Sequence, residues 1–283
     1  MYINLKAELF MAEIEAKKRF GQNFLKDTTV LNKIIQSMSN DNLKLVEIGP
    51  GLGDLTRLLL KDRTLKAYEV DRDLCVHLRD KFQKEIEEEK LNLIQGDVLD
   101  SFNTGSLEEE PYEIVANLPY YIATKIILEA LEDDLCKSVL VMVQKEVALK
   151  FCAQVKTKEF SSLSILSQSI ADVELLFDVP ADSFEPAPKV TSSVLKIVKK
   201  REFTQGKDAL FENIQDFIGF KKYLRISYSS PRKTWIKNIS SIYDKTIAKK
   251  LLEEFNIKAN TRSHELSVTN HLNLYSGLRK EYA

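Results

Sequence analysis

The fold class of the chain follows from one stretch, Lys44-Leu45-Val46-Glu47-Ile48-Gly49-Pro50-Gly51-Leu52-Gly53-Asp54. Its first five residues are an apolar run that predicts a buried strand. Asp54 can cap the helix that follows the glycines. Glycines at a strand-to-helix turn let the backbone pass close beneath a ligand and expose amides at a helix N-terminus. The stretch therefore predicts a strand, a glycine turn and a helix, as in an open α/β sheet.

Working outward from this turn, short apolar runs alternate with longer amphipathic stretches. Helices are predicted between the strands, for example at 55–61 and 73–88. The predicted strands are 44–48, 65–70, 91–95, 112–116 and 138–143. Strand and helix repeated at this pitch predict a doubly wound parallel sheet.

The sheet is predicted to end in an antiparallel pair of strands, at 173–179 and 190–198, after a helix at 161–170. A parallel sheet that ends in a hairpin is more typical of Rossmann-like class I methyltransferases than of dinucleotide dehydrogenases. From about Lys199 the β character is lost, and several short helices follow a polar linker near 203–207. We therefore predict a methyltransferase-type domain over 1–198 and a small helical domain over 199–283.

Composition describes an ordinary soluble protein, with 44% apolar and 29% charged residues. No apolar stretch approaches membrane-spanning length, and the charged N-terminus lacks a signal-peptide core. The three cysteines are odd in number and far apart, which argues against a disulfide framework and against a metal site. We expect a cytoplasmic monomer without a metal.

The net charge of −1 is unusual for a nucleic-acid-binding protein, but the charges are segregated along the chain. Residues 199–250 hold 13 Lys and Arg against 5 Asp and Glu. Acidic residues gather instead at 85–89 and 108–110. This distribution is compatible with a locally basic face that binds RNA, and equally with a Lys-rich helical domain that is only well solvated.

The glycine turn has the spacing G-x-G-x-G and lacks the third glycine of the dinucleotide fingerprint. That spacing favours S-adenosylmethionine, which has no phosphates, over a pyrophosphate ligand. Glu69 closes the next strand and can accept hydrogen bonds from ribose hydroxyls, although Asp71 competes for that role or caps the next helix. Asp97 follows the third strand and can accept from the adenine amine of the cofactor. The alternative is a glycine-rich turn that binds nothing.

Asn117-Leu118-Pro119-Tyr120 follows the apolar run at 113–116, where a parallel strand ends. An Asn side-chain oxygen beside a Pro-stiffened turn offers two acceptors at fixed separation, and the Tyr supplies a flat ring. This set suits a planar substrate with an exocyclic amine, as in methylation of the adenine amino nitrogen. An ordinary strand followed by a tight turn is the competing interpretation, since Asn and Pro are common turn residues.

Several motifs together resemble the ribosomal RNA adenine N6-dimethyltransferase family, over nearly the whole chain after about the first fifteen residues. The small-subunit branch fits better than the large-subunit resistance branch, because of the C-terminal motifs and the modest charge. The motifs are Arg19-Phe20-Gly21-Gln22-Asn23-Phe24-Leu25, the glycine turn, Asn117-Leu118-Pro119-Tyr120, Ser183-Phe184-Glu185-Pro186-Ala187-Pro188-Lys189-Val190, Pro231-Arg232-Lys233-Thr234 and Arg262-Ser263-His264-Glu265-Leu266-Ser267.

The resemblance implies a role for each matching residue. Tyr120 and Phe184 would sandwich the target adenine, and Leu118 would act through its backbone carbonyl at the catalytic turn with Asn117 and Pro119. The alternative for Phe184 is a loop aromatic packed in the core. The residues implied to contact S-adenosylmethionine are Asn23, Leu25, Gly49, Glu69, Asp97 and Asn117. The family often has Ile at position 118 and Asn at 121, where this chain has Leu and Tyr.

The activity implied by the resemblance is N6,N6-dimethylation of two adjacent adenosines in the 3′-terminal hairpin of 16S rRNA, on the immature small subunit. Phosphate contacts are expected from the basic residues Lys17, Lys18, Arg19, Arg232 and Lys233. Two alternatives stay open: a large-subunit methyltransferase of the resistance type, which shares the pocket motifs, and a non-catalytic small-subunit assembly factor. The RNA target separates the first, and cofactor titration separates the second.

Overall fold

The computed structural model describes residues 22–39, 43–200, 203 and 209–281. The described chain falls into two compact units. The first contains residues up to 148 together with 175–197, and the second contains 149–174 together with 198 onwards. The predicted domains, 1–198 and 199–283, concern parts that fold independently, which these units do not test. They stay a prediction. No helix among these residues is long and apolar enough to cross a bilayer.

The strands of the described chain form a seven-stranded sheet and a separate two-stranded one. The large sheet has the order β4-β3-β2-β5-β6-β9-β7, and β1 pairs antiparallel with β8. Strands β2, β3, β4, β5 and β6 pair in parallel. In chain order, β1 to β9 are Phe24–Leu25, Lys44–Ile48, Leu65–Glu69, Leu91–Gln95, Tyr112–Asn117, Cys136–Gln144, Ala171–Val179, Phe184–Glu185 and Ser192–Lys199.

The central strands are buried on both faces because helices follow each parallel strand. Val46 on β2 and Ile114 on β5 are completely buried, as near-continuous apolar strands in a doubly wound sheet require. The predicted parallel α/β sheet is confirmed. The two strands expected after residue 170 are β7 and β9, neighbours at the sheet edge. The helices α1 to α7 are Thr28–Gln36, Asp54–Leu59, Arg72–Lys81, Gln83–Glu87, Val98–Thr104, Ala123–Glu132 and Lys145–Cys152.

Two local predictions in the first unit are wrong. Gly53, not Asp54, is the N-cap of α2, and the Asp54 carboxylate instead pairs with Lys26 Nζ at 2.7 Å. The single helix expected over 73–88 is broken at Phe82 into α3 and α4. The Phe82 ring packs beneath Gly53, where an added Cβ would lie 2.5 Å from it. The helix α3 thus ends before a buried aromatic residue, although the helical periodicity of the sequence continues.

The second unit is helical, as the sequence predicts. Phe203, expected in a polar linker, is instead buried, and its ring centroid lies 4.4 Å from that of Phe217. The predicted linker is therefore wrong at this residue, because Phe203 joins a cluster of aromatic rings. Its helices α8 to α12 are Ser162–Ile170, Ile214–Ser227, Trp235–Ile239, Lys245–Glu254 and Val268–Glu281.

A directional hydrogen-bond chain crosses the core of the second unit. Trp235 Nε1 donates to Tyr223 Oη at 3.2 Å, and Tyr223 Oη lies 2.9 Å from His271 Nδ1. His271 Nε2 lies 3.0 Å from the Ser263 carbonyl oxygen, to which it donates. Burial lowers the pKa of His271 to about 4, so the ring is neutral and its two nitrogens have distinct roles.

Candidate active site

A cleft opens in the first unit, among the loops that follow β2, β3, β4 and β5. These loops lie at the carboxyl edge of the parallel strands, which is where open α/β sheets bind ligands. The segment 22–25, which we name the strap, forms a further wall. The predicted site residues that line the cleft are Asn23, Leu25, Gly49, Glu69, Asp97, Asn117, Leu118, Pro119 and Tyr120.

The glycine turn forms the floor of the cleft with three residues in the left-handed region. Gly49, Gly51 and Gly53 have φ values of 69°, 58° and 80°. A Cβ on Gly51 would lie 3.0 Å from the Phe24 ring of the strap, and other residues are strained at this φ. The alternating glycines therefore meet two requirements, the backbone conformation and the close approach of the strap.

Glu69 lies at the end of β3 with only 4% of its surface exposed. Gly51 N donates to Oε2 at 3.2 Å and Asp71 N donates to Oε1 at 2.9 Å. Burial raises the pKa of Glu69, and these backbone hydrogen bonds act in the opposite direction. The carboxylate is therefore fixed between the glycine turn and the start of α3, with its oxygens at the cleft wall.

The two other acidic candidates are helix caps. Asp71 is the N-cap of α3, accepts from Asp73 N at 3.0 Å, and accepts at Oδ2 from Gln22 Nε2 of the strap at 3.0 Å. This is the capping role that the sequence left open for it. Asp97 is the N-cap of α5 and accepts from Leu99 N at 2.9 Å. Asp97 still lines the cleft, and the cap hydrogen bond holds its carboxylate there.

Glu47 is a cleft residue that the sequence reasoning did not assign. It lies within β2 with 2% exposure and accepts from Thr56 Oγ1 at 2.7 Å. Burial is the main cause that raises its pKa to about 8, so the carboxyl is largely protonated at neutral pH. An acidic residue inside the apolar run Leu-Val-Glu-Ile was the available signal.

The turn after β5 is held by two backbone hydrogen bonds and by one from the Asn117 side chain. Leu118 N donates to Met142 O at 3.1 Å, and Ile122 N donates to Pro119 O at 3.2 Å. Asn117 Nδ2 donates to Asn23 O at 3.0 Å. This hydrogen bond to the strap orients the Asn117 amide. Its oxygen, Oδ1, is therefore the atom that can accept a hydrogen bond from a ligand. Pro119 O is already an acceptor, so the Leu118 carbonyl is the better second acceptor.

Phe184 does not line the cleft. It forms β8 with Glu185, pairs with Leu25 of the strap, and is 5% exposed within the hydrophobic core. The sandwich of the target adenine between Tyr120 and Phe184 stays a prediction. Core packing, the alternative stated for Phe184, describes its position here.

Tyr121 replaces the family's common Asn and stands at the mouth of the cleft with 59% exposure. Burial raises the pKa of its hydroxyl, and the charges of Asp97 and Glu69 raise it further. The phenol therefore stays protonated at neutral pH.

The predicted RNA-binding residues fall in two places. Arg232 and Lys233 are exposed in the loop between α9 and α10 of the second unit. The remaining predicted residues, Lys17, Lys18 and Arg19, lie outside the described residues.

Known proteins match the chain over nearly its full length. It is 48% identical over 271 residues to the ribosomal RNA small subunit methyltransferase A of Aliarcobacter butzleri, covering 95% of this chain and 98% of the relative. The Campylobacter jejuni protein of the same name is 45% identical over 269 residues, covering 95% and 97%.

Solved structures share the fold. A dimethyladenosine transferase from Plasmodium falciparum has a TM-score of 0.74 at 23% identity, covering 92% of this chain and 98% of the other. The 23S rRNA methyltransferase ErmE has a TM-score of 0.68 at 22% identity, covering 91% and 100%. The family model for ribosomal RNA adenine dimethylase matches residues 13–280, so the chain belongs to the ribosomal RNA adenine dimethylase family.

Proposed function

We propose that this rRNA adenine dimethyltransferase uses S-adenosylmethionine to dimethylate the N6 atoms of two adjacent adenosines in the 3′-terminal hairpin loop of 16S rRNA. The observation that supports this best is the convergence of Asn117, Leu118 and Tyr120 beside the glycine turn in one cleft. Curated relatives at 45% to 48% identity are named as small-subunit methyltransferases. We further propose that the protein acts as a cytoplasmic monomer on the immature small subunit.

The residues of the cleft fit S-adenosylmethionine. Gly49 and Gly51 provide a floor without side chains, Glu69 would accept from the ribose hydroxyls, and Asp97 would accept from the adenine amine. The strap residues Asn23 and Leu25 would cover the cofactor from the other side. When bound, the cofactor supplies a methyl group activated by its positively charged sulfur.

The chain itself would orient the substrate amine. The lone pair of an adenine amino group is delocalised into the ring, which makes the nitrogen a poor nucleophile. Asn117 Oδ1 and the Leu118 carbonyl would each accept one hydrogen of this amine, which turns the nitrogen towards tetrahedral geometry. Tyr120 would hold the base by stacking. Catalysis then consists mainly of alignment and charge dispersal, without a general base before transfer.

The RNA would be held by phosphate contacts, which position the substrate without reading its sequence. Arg232 and Lys233 are exposed and suited to this role. We therefore expect methylation to fall steeply with added salt, because counterions compete at each phosphate contact. A flat salt response would contradict an electrostatic RNA footprint.

A large-subunit target is the competing function. The likeness to ErmE supports only a common fold, since identity is 22%, whereas the relatives above 45% identity are named for the small subunit. A purely structural assembly factor would not need the acceptors at Asn117 and Leu118. The test is incubation with labelled cofactor and both ribosomal subunits from a strain that lacks these methylations, followed by mapping of the modified nucleotides. Label in the 3′-terminal hairpin of small-subunit RNA is expected, and label confined to large-subunit RNA would overturn the assignment.

A further inference from the structure

The Tyr120 ring lines the cleft, while its hydroxyl is held by a residue far from the turn. Tyr120 Oη and Ser192 Oγ lie 2.6 Å apart and share a hydrogen bond across 72 residues of sequence. This distance is at the short end of the range for two hydroxyls. Ser192 is the first residue of β9 and is fully buried. The bond therefore joins a cleft residue to a fixed point of the sheet.

The backbone beside Ser192 is itself held. Lys145 N donates to Thr191 O at 3.0 Å, and Thr191 directly precedes Ser192. Strand β9 lies between its neighbours β6 and β7 in the large sheet. The buried Ser192 hydroxyl is therefore a defined anchor point, whereas the hydroxyl of the next residue, Ser193, donates to Asp178 Oδ1 at 2.7 Å instead.

A bound hydroxyl restricts an aromatic ring in a way that stacking alone does not. A ring fixed at one end can tilt, whereas Tyr120 is fixed at its backbone and at Oη. A base stacked on the ring takes its position from the ring, and that position decides where the exocyclic amine lies relative to Asn117. A misplacement of about 1 Å can reduce the rate of an aligned transfer by on the order of 100-fold. Burial raises the pKa of Tyr120, so the hydroxyl stays protonated.

We propose that Ser192 is a positioning residue for methyl transfer, because its hydroxyl fixes the direction of the Tyr120 side chain and hence the position of the target base stacked on its ring. The inference rests on the proposed function, since it requires an adenine stacked on Tyr120. This role of Ser192 also explains why residue 120 is a tyrosine, because a phenylalanine lacks the hydroxyl that binds Ser192. Ser192 acts only through Tyr120 and touches no reacting atom.

The experiment is a double-mutant cycle with Tyr120→Phe, Ser192→Ala and the double variant. Ser193→Ala is the matched control, because Ser193 is an equally buried hydroxyl one residue further along β9. The full-length proteins are assayed for the single-turnover rate of N6-dimethyladenosine formation at saturating cofactor. Small and large subunits lacking the modification are both supplied. Cofactor affinity and Tm are measured for every variant.

Each single variant is expected to lower the rate by about 5- to 10-fold, the size of one hydrogen bond. The double variant should lose no more than one single variant, because both changes remove the same contact. Cofactor affinity should stay within about twofold, since no cofactor contact is removed. Ser193→Ala should keep its rate even where its Tm falls.

Three results would overturn the inference: a full rate for Tyr120→Phe, losses that multiply in the double variant, or equal rate losses in Ser192→Ala and Ser193→Ala. If Ser192→Ala folds poorly, Tyr120→Phe decides alone, by its rate at unchanged Tm. Methylation of the large subunit instead of the small would overturn the proposed target. The ratios of the variant rates to the wild-type rate could still be measured on the large subunit, and they would still test the role of Ser192. The two failures are therefore distinguishable.

Discussion

The hydrogen bond from Asn117 to the strap predicts that aspartate cannot replace this asparagine without a cost. Asn117 Nδ2 donates to the Asn23 carbonyl at 3.0 Å, while Oδ1 is proposed to accept from the substrate amine. Asn117→Asp keeps the acceptor but turns the donor into an oxygen that faces another oxygen. Asn117→Ala removes donor and acceptor together and leaves room for water. The two variants therefore separate the strap contact from the substrate contact.

The expected effects follow from these contacts. In Asn117→Asp, the hydrogen bond from residue 117 is lost and a carboxylate faces the partly buried Asn23 carbonyl, at a cost of about 1 to 3 kcal/mol. If this loosens the strap, cofactor affinity falls by about 5- to 150-fold. In Asn117→Ala, water can replace the donor, so affinity should stay within a few-fold. Its saturating rate should fall by about 100-fold or more, because a positioned acceptor is lost.

The two variants should therefore rank in opposite order in two assays. Calorimetry with S-adenosylmethionine gives the affinity, and the expected order is wild type, then Asn117→Ala, then Asn117→Asp. Single-turnover methylation at saturating cofactor gives the rate, and the expected order is wild type, then Asn117→Asp, then Asn117→Ala.

The reasoning is refuted if Asn117→Asp binds the cofactor as tightly as the wild type, because the strap contact would then be irrelevant to binding. It is also refuted if Asn117→Ala methylates at the wild-type rate, since this would remove the side chain from the mechanism. A uniform loss in both assays accompanied by a lower Tm would indicate misfolding and not loss of these contacts.

Three further predictions concern charge and pH. Glu47 has a folded pKa of about 8 against 4.5 unfolded, so the free energy of unfolding should fall by on the order of 4 kcal/mol as pH rises from 4.5 to 8. Glu47→Gln should abolish this slope in denaturation series and be more stable than the wild type at pH 8. Buried His271 has a folded pKa of about 4 against 6.5 unfolded, so stability should fall by roughly 3 kcal/mol as pH drops from 6.5 to 4. His271→Gln should lack this acid slope, and an unchanged slope would assign it to other groups. Replacing Arg232 and Lys233 by Gln should weaken RNA binding for all sequences and reduce the slope of log affinity against log salt by roughly 1 to 2; an unchanged slope would remove both residues from the RNA contact.

The sheet and the location of the cleft could be predicted because they depend on short-range patterns. Apolar runs with helical stretches between them specify a parallel sheet, and its carboxyl edge collects whatever follows each strand. Glu69, Asp97 and Asn117 each follow or end a strand, so their convergence in one cleft required only the strand order.

Two of the wrong predictions, the unbroken helix over 73–88 and the polar linker at Phe203, coincide with long-range packing of aromatic rings. The helix α3 ends before Phe82, whose ring packs under Gly53, although the local periodicity continues. Phe203 packs on Phe217, although its neighbours in sequence are polar. Phe184, whose predicted role stays a prediction, is also buried, on a strand that pairs with the strap. No local pattern reports these contacts, since each depends on which segments meet in the folded chain.

The contrast between local patterns and long-range contacts also holds for single atoms of Asn117 and Tyr120. The sequence indicates which chemical group the site needs, an amide at 117 and a ring at 120, and this follows from the substrate. The second polar contact of each side chain is made by a segment 94 or 72 residues away, the strap for Asn117 and β9 for Tyr120. An amide with one atom for the scaffold and one for the ligand has a fixed orientation, which an aspartate would lose. Likewise, a tyrosine bound at its hydroxyl has a fixed ring position, which a phenylalanine would lose. The choice of Asn over Asp and of Tyr over Phe therefore follows from the fold, whereas the need for an acceptor and a flat ring follows from the chemistry.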